Sequence, residues 1–302
     1  MAVTSTDASP VGFARPARAP EDGAVGNADL PSGIQLCHEA FGDTADPALL
    51  LVHGLGSQLL LWEEGFCQGL AATGFHVIRY DQRDSGLSTV LDEGTAYSLS
   101  DMAADAVGLL DHLGEGDAHV VGLSLGGMVA QVLAAEHPGR CRSLVSMASS
   151  TGDRRFGRPT DTALEALVAP APEDPVLAVE KDLADRRLWA SVWHDDDHAR
   201  AVFAAYADRK VQSRSAWERQ ARASFEQGSR EDLLATIEVP TLVLHGTADT
   251  LITLGGGRRT AEVIPGAELV VVEGWGHDMA PGAWPQLIDA ISTHCHRVDG
   301  TN

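Results

Sequence analysis

The chain is nearly empty of lysine. Lys181 and Lys210 are the only two, among 22 basic residues that stand against 43 acidic ones in a length of 302. The formal charge of −21 repels nucleic acid and anionic membrane surfaces, so neither is expected as a partner. Cysteine is sparse too. Cys37, Cys67, Cys141 and Cys295 lie far apart and form no Cys-x-x-Cys pair, which suits reduced structural thiols in a cytoplasmic protein. The N-terminus has no basic start followed by a long apolar stretch, and no run of ~18 apolar residues occurs anywhere. Neither export nor a membrane span is expected. Hydrophobic residues still make up 44% of the chain, enough for a sizeable core. The length fits one α/β core carrying an insertion.

Residues 1–30 are rich in Ala, Pro, Gly, Ser and Asp and too poor in large apolar groups to offset ordering entropy, so they read as a flexible tail. From there, short apolar runs alternate with helical patterns. Ile34 to Phe41 reads as an edge strand, Ala48 to Val52 as a strand buried on both faces, Trp62 to Ala72 as a helix and Phe75 to Tyr80 as the next strand. Ser98 and Asp101 form a capping-box pattern ahead of a helix that Gly114 closes. Strands near 119–121 and 143–148 complete residues 31–149. Strands alternating with helices give an α/β fold with a mostly parallel sheet covered on both faces. Between 150 and 239 the strand pattern stops, and five helical stretches follow: Asp161 to Val168, Pro175 to Trp193, Asp197 to Val211, Ser215 to Gln227 and Ser229 to Ile237. These read as a helical cap over the C-terminal edge of the sheet. The core then resumes over 240–302. No internal repeat is present.

One stretch organises the rest. Val120-Val121-Gly122-Leu123-Ser124-Leu125-Gly126-Gly127 reads as a strand, a very tight turn and a helix, with one serine on the turn. Such a turn forces the serine into a sparsely allowed backbone conformation and requires small neighbours two positions before and after it. Gly122 and Gly126 supply them. This Gly-x-Ser-x-Gly pattern is a nucleophile elbow, and the chain resembles the α/β-hydrolase family. The likeness runs from about residue 33 to the C-terminus and is weakest across 150–239.

A serine hydroxyl needs a base, and the base needs an acid to hold its tautomer and its charge. The resemblance implies the chain order Ser, Asp, His. His277, in Gly274-Trp275-Gly276-His277-Asp278, follows an apolar strand that ends at Val272, and Asp249 lies just past the strand Thr241 to Leu244. Both leave the sheet at the edge where Ser124 sits, the edge that carries active sites in open parallel sheets. Asp278 and Asp153 are rival acids. The expected oxyanion donors are the backbone N–H of Leu125 and, in the loop His53-Gly54-Leu55-Gly56, that of Leu55. His53 is expected to brace that loop rather than react.

The loop Asp81-Gln82-Arg83-Asp84-Ser85-Gly86-Leu87-Ser88 resembles the family's Asp-x-Arg-Gly-x-Gly-x-Ser, with Asp84 in place of the usual glycine. Its form is similar to that of aclacinomycin methylesterase-like esterases, and Arg83 and the two aspartates are expected to make buried or semi-buried ion pairs. Trp62, Trp189, Trp193 and Trp275 are candidates to line a pocket for an apolar acyl or alcohol group. Phe203, Tyr206, Trp217 and Phe225 add aromatic bulk to the cap. His194 and His198, four apart, could share a helix face and bind a metal, but the run Asp195-Asp196-Asp197 reads better as a helix N-terminus. His294-Cys295-His296 is expected at a fraying, inert C-terminus.

The resemblance therefore implies a serine carboxylic ester hydrolase acting through an acyl-enzyme on a small ester with an apolar portion, with no cofactor and no metal. Lactonase, thioesterase, C–C bond hydrolase and perhydrolase chemistry use the same constellation and stay open. So does a ligand sensor built on the cavity. Oligomeric state has no signature in these residues.

Overall fold

A computed structural model describes residues 23–170, 172 and 174–300. Eight strands form one sheet: β1 Gly26–Asp29, β2 Gln35–Phe41, β3 Ala48–Val52, β4 His76–Tyr80, β5 Ala118–Leu123, β6 Cys141–Met147, β7 Thr241–Gly246 and β8 Glu268–Val272. Their order is β1-β2-β4-β3-β5-β6-β7-β8. β1 and β2 run antiparallel at one edge, and every pairing from β4 to β8 is parallel. β3 shows why the sheet must be covered twice. All five of its residues are buried, with Leu49 and Leu51 in one apolar cluster and Leu50 and Val52 in the other. Side chains alternate faces along a strand, so a continuous apolar run demands helices on both sides.

Those helices are α1 Glu64–Ala71, α2 Leu99–Leu113, α3 Leu125–Glu136, then α4 Asp161–Val168, α5 Pro175–Arg187, α6 Asp196–Arg209, α7 Arg214–Phe225 and α8 Glu231–Leu234, and finally α9 Gly255–Val263 and α10 Trp284–Asp299. α2 and α3 cover one face, α1 and α10 the other. The expected capping box is formed at the start of α2, and Gly114 closes that helix with a left-handed φ of 77°.

Several expectations change. Ile34 to Phe41 is not an edge strand, because β1 pairs outside it. β1 falls inside the stretch read as tail, and residues 1–22 of that stretch lie outside the described residues. α4 to α8 are all inserted between β6 and β7, but α5 stops at Arg187 rather than running to Trp193. Beyond Arg187 the backbone turns away to meet the 274–277 loop: Trp189 O accepts from His277 N (2.6 Å) and Val192 N donates to Gly274 O (2.9 Å). A helix cannot make those bonds and its own. α10 does not fray. It runs to a left-handed Gly300, buries His294 and Cys295, and holds His296 by a contact to Thr73 O (2.8 Å) and a stack on Phe75.

Candidate active site

Ser124 sits between β5 and α3 with φ 58° and ψ −118°, a conformation rare for a side chain larger than glycine's. Its surroundings hold it there. Ser124 N donates to Met147 O (2.9 Å), and Ser149 Oγ donates to Ser124 O (2.8 Å). The flanking glycines are obligatory for space. A methyl on Gly122 would overlap Gly126 O, and one on Gly126 would overlap the carbonyl oxygens of Val52 and His53. Leu125 opens a twelve-residue helix, so its N–H has no intrahelical acceptor and lies at the positive end of the helix dipole.

His277 Nδ1 lies 2.8 Å from Asp249 Oδ2. An ionised carboxylate only accepts, so Nδ1 carries the proton and Nε2 is left with a free lone pair. Asp249 is itself fixed, since its Oδ1 accepts the N–H groups of Leu251 (2.9 Å) and Ile252 (2.8 Å). Ser124, Leu125, Gly54, Leu55 and His277 all line one cavity of ≈ 1300 Å³. The rival acids are engaged elsewhere. Asp278 Oδ2 accepts from Ser191 N (2.9 Å) and faces His194. Asp153 is paired with Arg155, whose hydrogen bonds lower its carboxyl to about 2. His245, not singled out in the sequence, lies 3.6 Å from Asp249 Oδ2. Its Nε2 donates to Ile252 O (2.7 Å), and burial lowers its pKa. It packs behind the acid as a neutral brace.

The loop with Leu55 comes close to the elbow, since a Cβ on Gly54 would touch Ser124 Cβ at 3.4 Å. His53 braces it as expected. Its Nδ1 donates to Gly54 O (2.8 Å), its Nε2 accepts from Gln82 N (3.1 Å), and burial lowers its pKa. Both ring nitrogens are therefore occupied, and the ring stays neutral.

Among the tryptophan candidates, only Trp189 lines the cavity. Trp62 and Trp275 are wholly buried in the core under α1 and α10, and Trp193 packs against the same cluster. Phe203, Tyr206, Trp217 and Phe225 do line it. His194 precedes the N-cap of α6, so His194 and His198 do not share a helix face. Asp195 is that cap and accepts from His198 N (2.8 Å). His194 contacts Asp196, and His198 contacts Glu63. Among the described residues no cluster has the makings of a metal site. Burial pushes all four thiols up, Cys37 to about 11 and Cys67 and Cys295 to about 12, which keeps them protonated at neutral pH.

Arg83 and the two aspartates of the 81–88 loop all make buried ion pairs, as expected, and each finds its partner outside the loop. Arg83 turns to Asp105 on α2, with contacts of 2.6 and 2.7 Å. Asp81 pairs with Arg209 at the end of α6. Asp84 takes both prongs of Arg219 on α7, at 2.8 and 2.7 Å. Asp84 has φ 66°, which explains why glycine is the common residue there. Aspartate tolerates this conformation better than most residues and gains an arginine by occupying it.

A family model described as alpha/beta hydrolase fold matches residues 47–280. Rhodomycin D methylesterase DauP of Streptomyces sp. (strain C5) is 30% identical over 287 residues, which cover 86% of this chain and 95% of that protein. 3-oxoadipate enol-lactonase 2 of Acinetobacter baylyi is 26% identical over 242 residues, covering 80% and 85%. A hydrolase from Pseudomonas aeruginosa PA01 matches in structure with a TM-score of 0.70 at 26% identity, covering 93% of this chain and 100% of that one. The esterase RhEst1 from Rhodococcus sp. ECU1013 has the same fold, with a TM-score of 0.76 at 23% identity and 91% and 99% covered.

Proposed function

This chain belongs to the α/β-hydrolase fold family and is a hydrolase of ester bonds, and from that premise we propose that Ser124, His277 and Asp249 carry the reaction. His277 Nε2 takes the proton of Ser124 Oγ as the oxygen attacks the ester carbonyl. The N–H groups of Leu125 and Leu55 stabilise the oxyanion that forms. His277 returns the proton to the leaving alcohol, and Asp249 holds the ring and stabilises its charged form. Water, deprotonated by the same His277, then releases the acid from the acyl-serine. The observation that carries this reading is the 2.8 Å contact from Asp249 to His277, in a ring that opens on the same cavity as Ser124.

The helices of 150–239 act as a lid that selects the substrate. A cavity of ≈ 1300 Å³ walled by Trp189, Phe203, Trp217 and Phe225 suits a bulky, largely apolar ester better than a short one. The methylesterase relatives favour a methyl ester on a polycyclic, polyketide-like acid. The lactonase relative keeps a cyclic ester as a second reading, since ring opening uses the same steps. Lysine-poor, acidic composition and four buried thiols support a cytoplasmic protein that binds no nucleic acid. Among the described residues no helix is long and apolar enough to cross a membrane.

The test is hydrolysis of p-nitrophenyl esters, a polycyclic methyl ester and a lactone by the protein and by Ser124→Ala. We expect turnover on esters and loss of nearly all of it in the variant, with folding intact by circular dichroism. Ester turnover retained by a folded Ser124→Ala would remove the assignment.

A further inference from the structure

The loop that carries Leu55 is not held by the core alone. Past Gly56 it continues through Ser57 and Gln58 into a short 3-10 turn, Leu59–Leu61. Gln58 is buried. Its amide donates to the carbonyls of Tyr206 (3.0 Å) and Lys210 (2.7 Å) at the C-terminal end of α6, where Tyr206 O also accepts the Lys210 N–H (2.9 Å). Its Oε1 accepts from Arg209 Nη1 (3.1 Å). The same Nη1 pairs with Oδ2 of Asp81, while Asp81 Oδ1 accepts the N–H of Leu59 (2.7 Å). One amide, one guanidinium and one wholly buried carboxylate thus close a ring. It runs from the 53–59 loop to the 81–88 loop, on to α6, and back.

The site is shaped for that arginine. A methyl on Gly86 would overlap both the Asp81 carboxylate and Arg209 Nη1. The neighbouring clamp differs. Arg219 and Asp84 tie α7 to the same core loop, but the further bonds of their side chains go to Leu91 and Tyr97; α7 reaches residues 53–59 through Gln220 instead, whose Oε1 accepts from Gly56 N at 3.5 Å.

We propose that Arg209 is a positioning residue: by seating α6 on Asp81 and Gln58 it fixes the 53–59 loop, so that the oxyanion site is completed from the inserted helices. The inference rests on the reading of Leu55 N–H as an oxyanion donor. Arg209 is not among the residues that line the cavity. Its loss should therefore act on the transition state and hardly on substrate binding.

The experiment compares steady-state kinetics of Arg209→Met, Arg209→Lys, Asp81→Asn/Arg209→Met, Asp84→Gly/Arg219→Met and Ser124→Ala, with folding followed by circular dichroism. The Asp81→Asn/Arg209→Met variant leaves no buried charge unpaired, so it decides the matter if Arg209→Met alone does not fold. For both Met variants at 209 we expect kcat to fall roughly ten- to a hundredfold, the scale of a displaced oxyanion donor. KM should stay within about twofold. Arg209→Lys, which can still reach Asp81, should restore most of kcat, and Asp84→Gly/Arg219→Met should keep it. Wild-type kcat in a folded Asp81→Asn/Arg209→Met overturns the proposal. So does an equal loss of kcat in Asp84→Gly/Arg219→Met, which would mean that any loosening of the insert has the same effect. If Ser124→Ala stays active, the nucleophile assignment fails. If it is dead while the Arg209 variants match wild type, only the positioning role fails.

Discussion

Asp249 divides its two oxygens: Oδ2 lies 2.8 Å from His277 Nδ1, and Oδ1 accepts the Leu251 and Ile252 N–H groups. Asp249→Asn would keep the shape but present an amide that can donate to Nδ1, leaving the proton on Nε2, where the lone pair is needed. Turnover of a p-nitrophenyl ester should fall on the order of 10⁴-fold with an unchanged circular dichroism spectrum. A loss of only severalfold would show that the ring does not depend on this acid.

The elbow glycines are a matter of volume. Gly126→Ala places a methyl into two carbonyl oxygens, whereas Gly139→Ala has nothing within 4 Å. Urea unfolding should show a cost of about 3 kcal/mol at 126, the upper end for overpacking, and within about 0.5 kcal/mol at 139. Equal effects would contradict the tight crossing of β5, β3 and α3.

The Asp84–Arg219 pair is buried on both sides, with side-chain exposures of 0% and 6%. Arg219→Met strands a buried carboxylate and should cost about 3–5 kcal/mol. Adding Asp84→Gly removes that charge and puts glycine where φ is 66°. The double variant should therefore be more stable than Arg219→Met alone, and a denaturant double-mutant cycle reads the coupling.

Trp62 and Trp189 should separate by phenotype. Trp62 is fully buried in the core, so Trp62→Ala should cost about 3–5 kcal/mol of stability and change substrate preference little. Trp189 lines the cavity, so Trp189→Ala should raise KM for bulky esters more than for acetates. The reverse pattern would move the pocket elsewhere.

Acid should destabilise this protein before its carboxylates protonate. Burial lowers His38 and His294 from 6.5 to about 4. Between those values the unfolded chain binds more protons than the folded one. Stability is therefore fully present above about 6.5 and is lost as pH falls toward 4. Buried His53 and His245, also lowered, add to the same trend. Melting temperature against pH should slope upward from 4.5 to 6.5 and then flatten. A flat profile across that window would contradict four histidines held neutral.

The elbow could be read from sequence because backbone geometry imposes it locally, whereas Asp249 and His277 became candidates through the chain order that the family resemblance implies. A strained serine demands glycines two residues away, and loops that leave parallel strands are marked by where apolar runs stop. The clamps could not be read. Arg209 and Asp81 are 128 residues apart, and Arg219 and Asp84 are 135 apart, with no local pattern joining them. Tryptophan misled because a large ring suits a core and a pocket equally well, so Trp62 and Trp275 looked like lining until their surroundings were known. β1 was missed because Gly-Asn-Ala-Asp has little strand character of its own and owes its conformation to pairing with β2.

The two arginine clamps divide the insert into unequal parts for anyone wishing to redirect the enzyme. α6 and α7 are bolted to the 81–88 loop through buried charge, so randomising the clamp residues of those helices should cost stability and, at Arg209, turnover. α4 contributes Leu164, Leu167 and Val168 to the cavity wall, and Leu164 and Val168 remain exposed. A library confined to that wall should reshape the cavity while leaving the fastening of α6 and α7 intact.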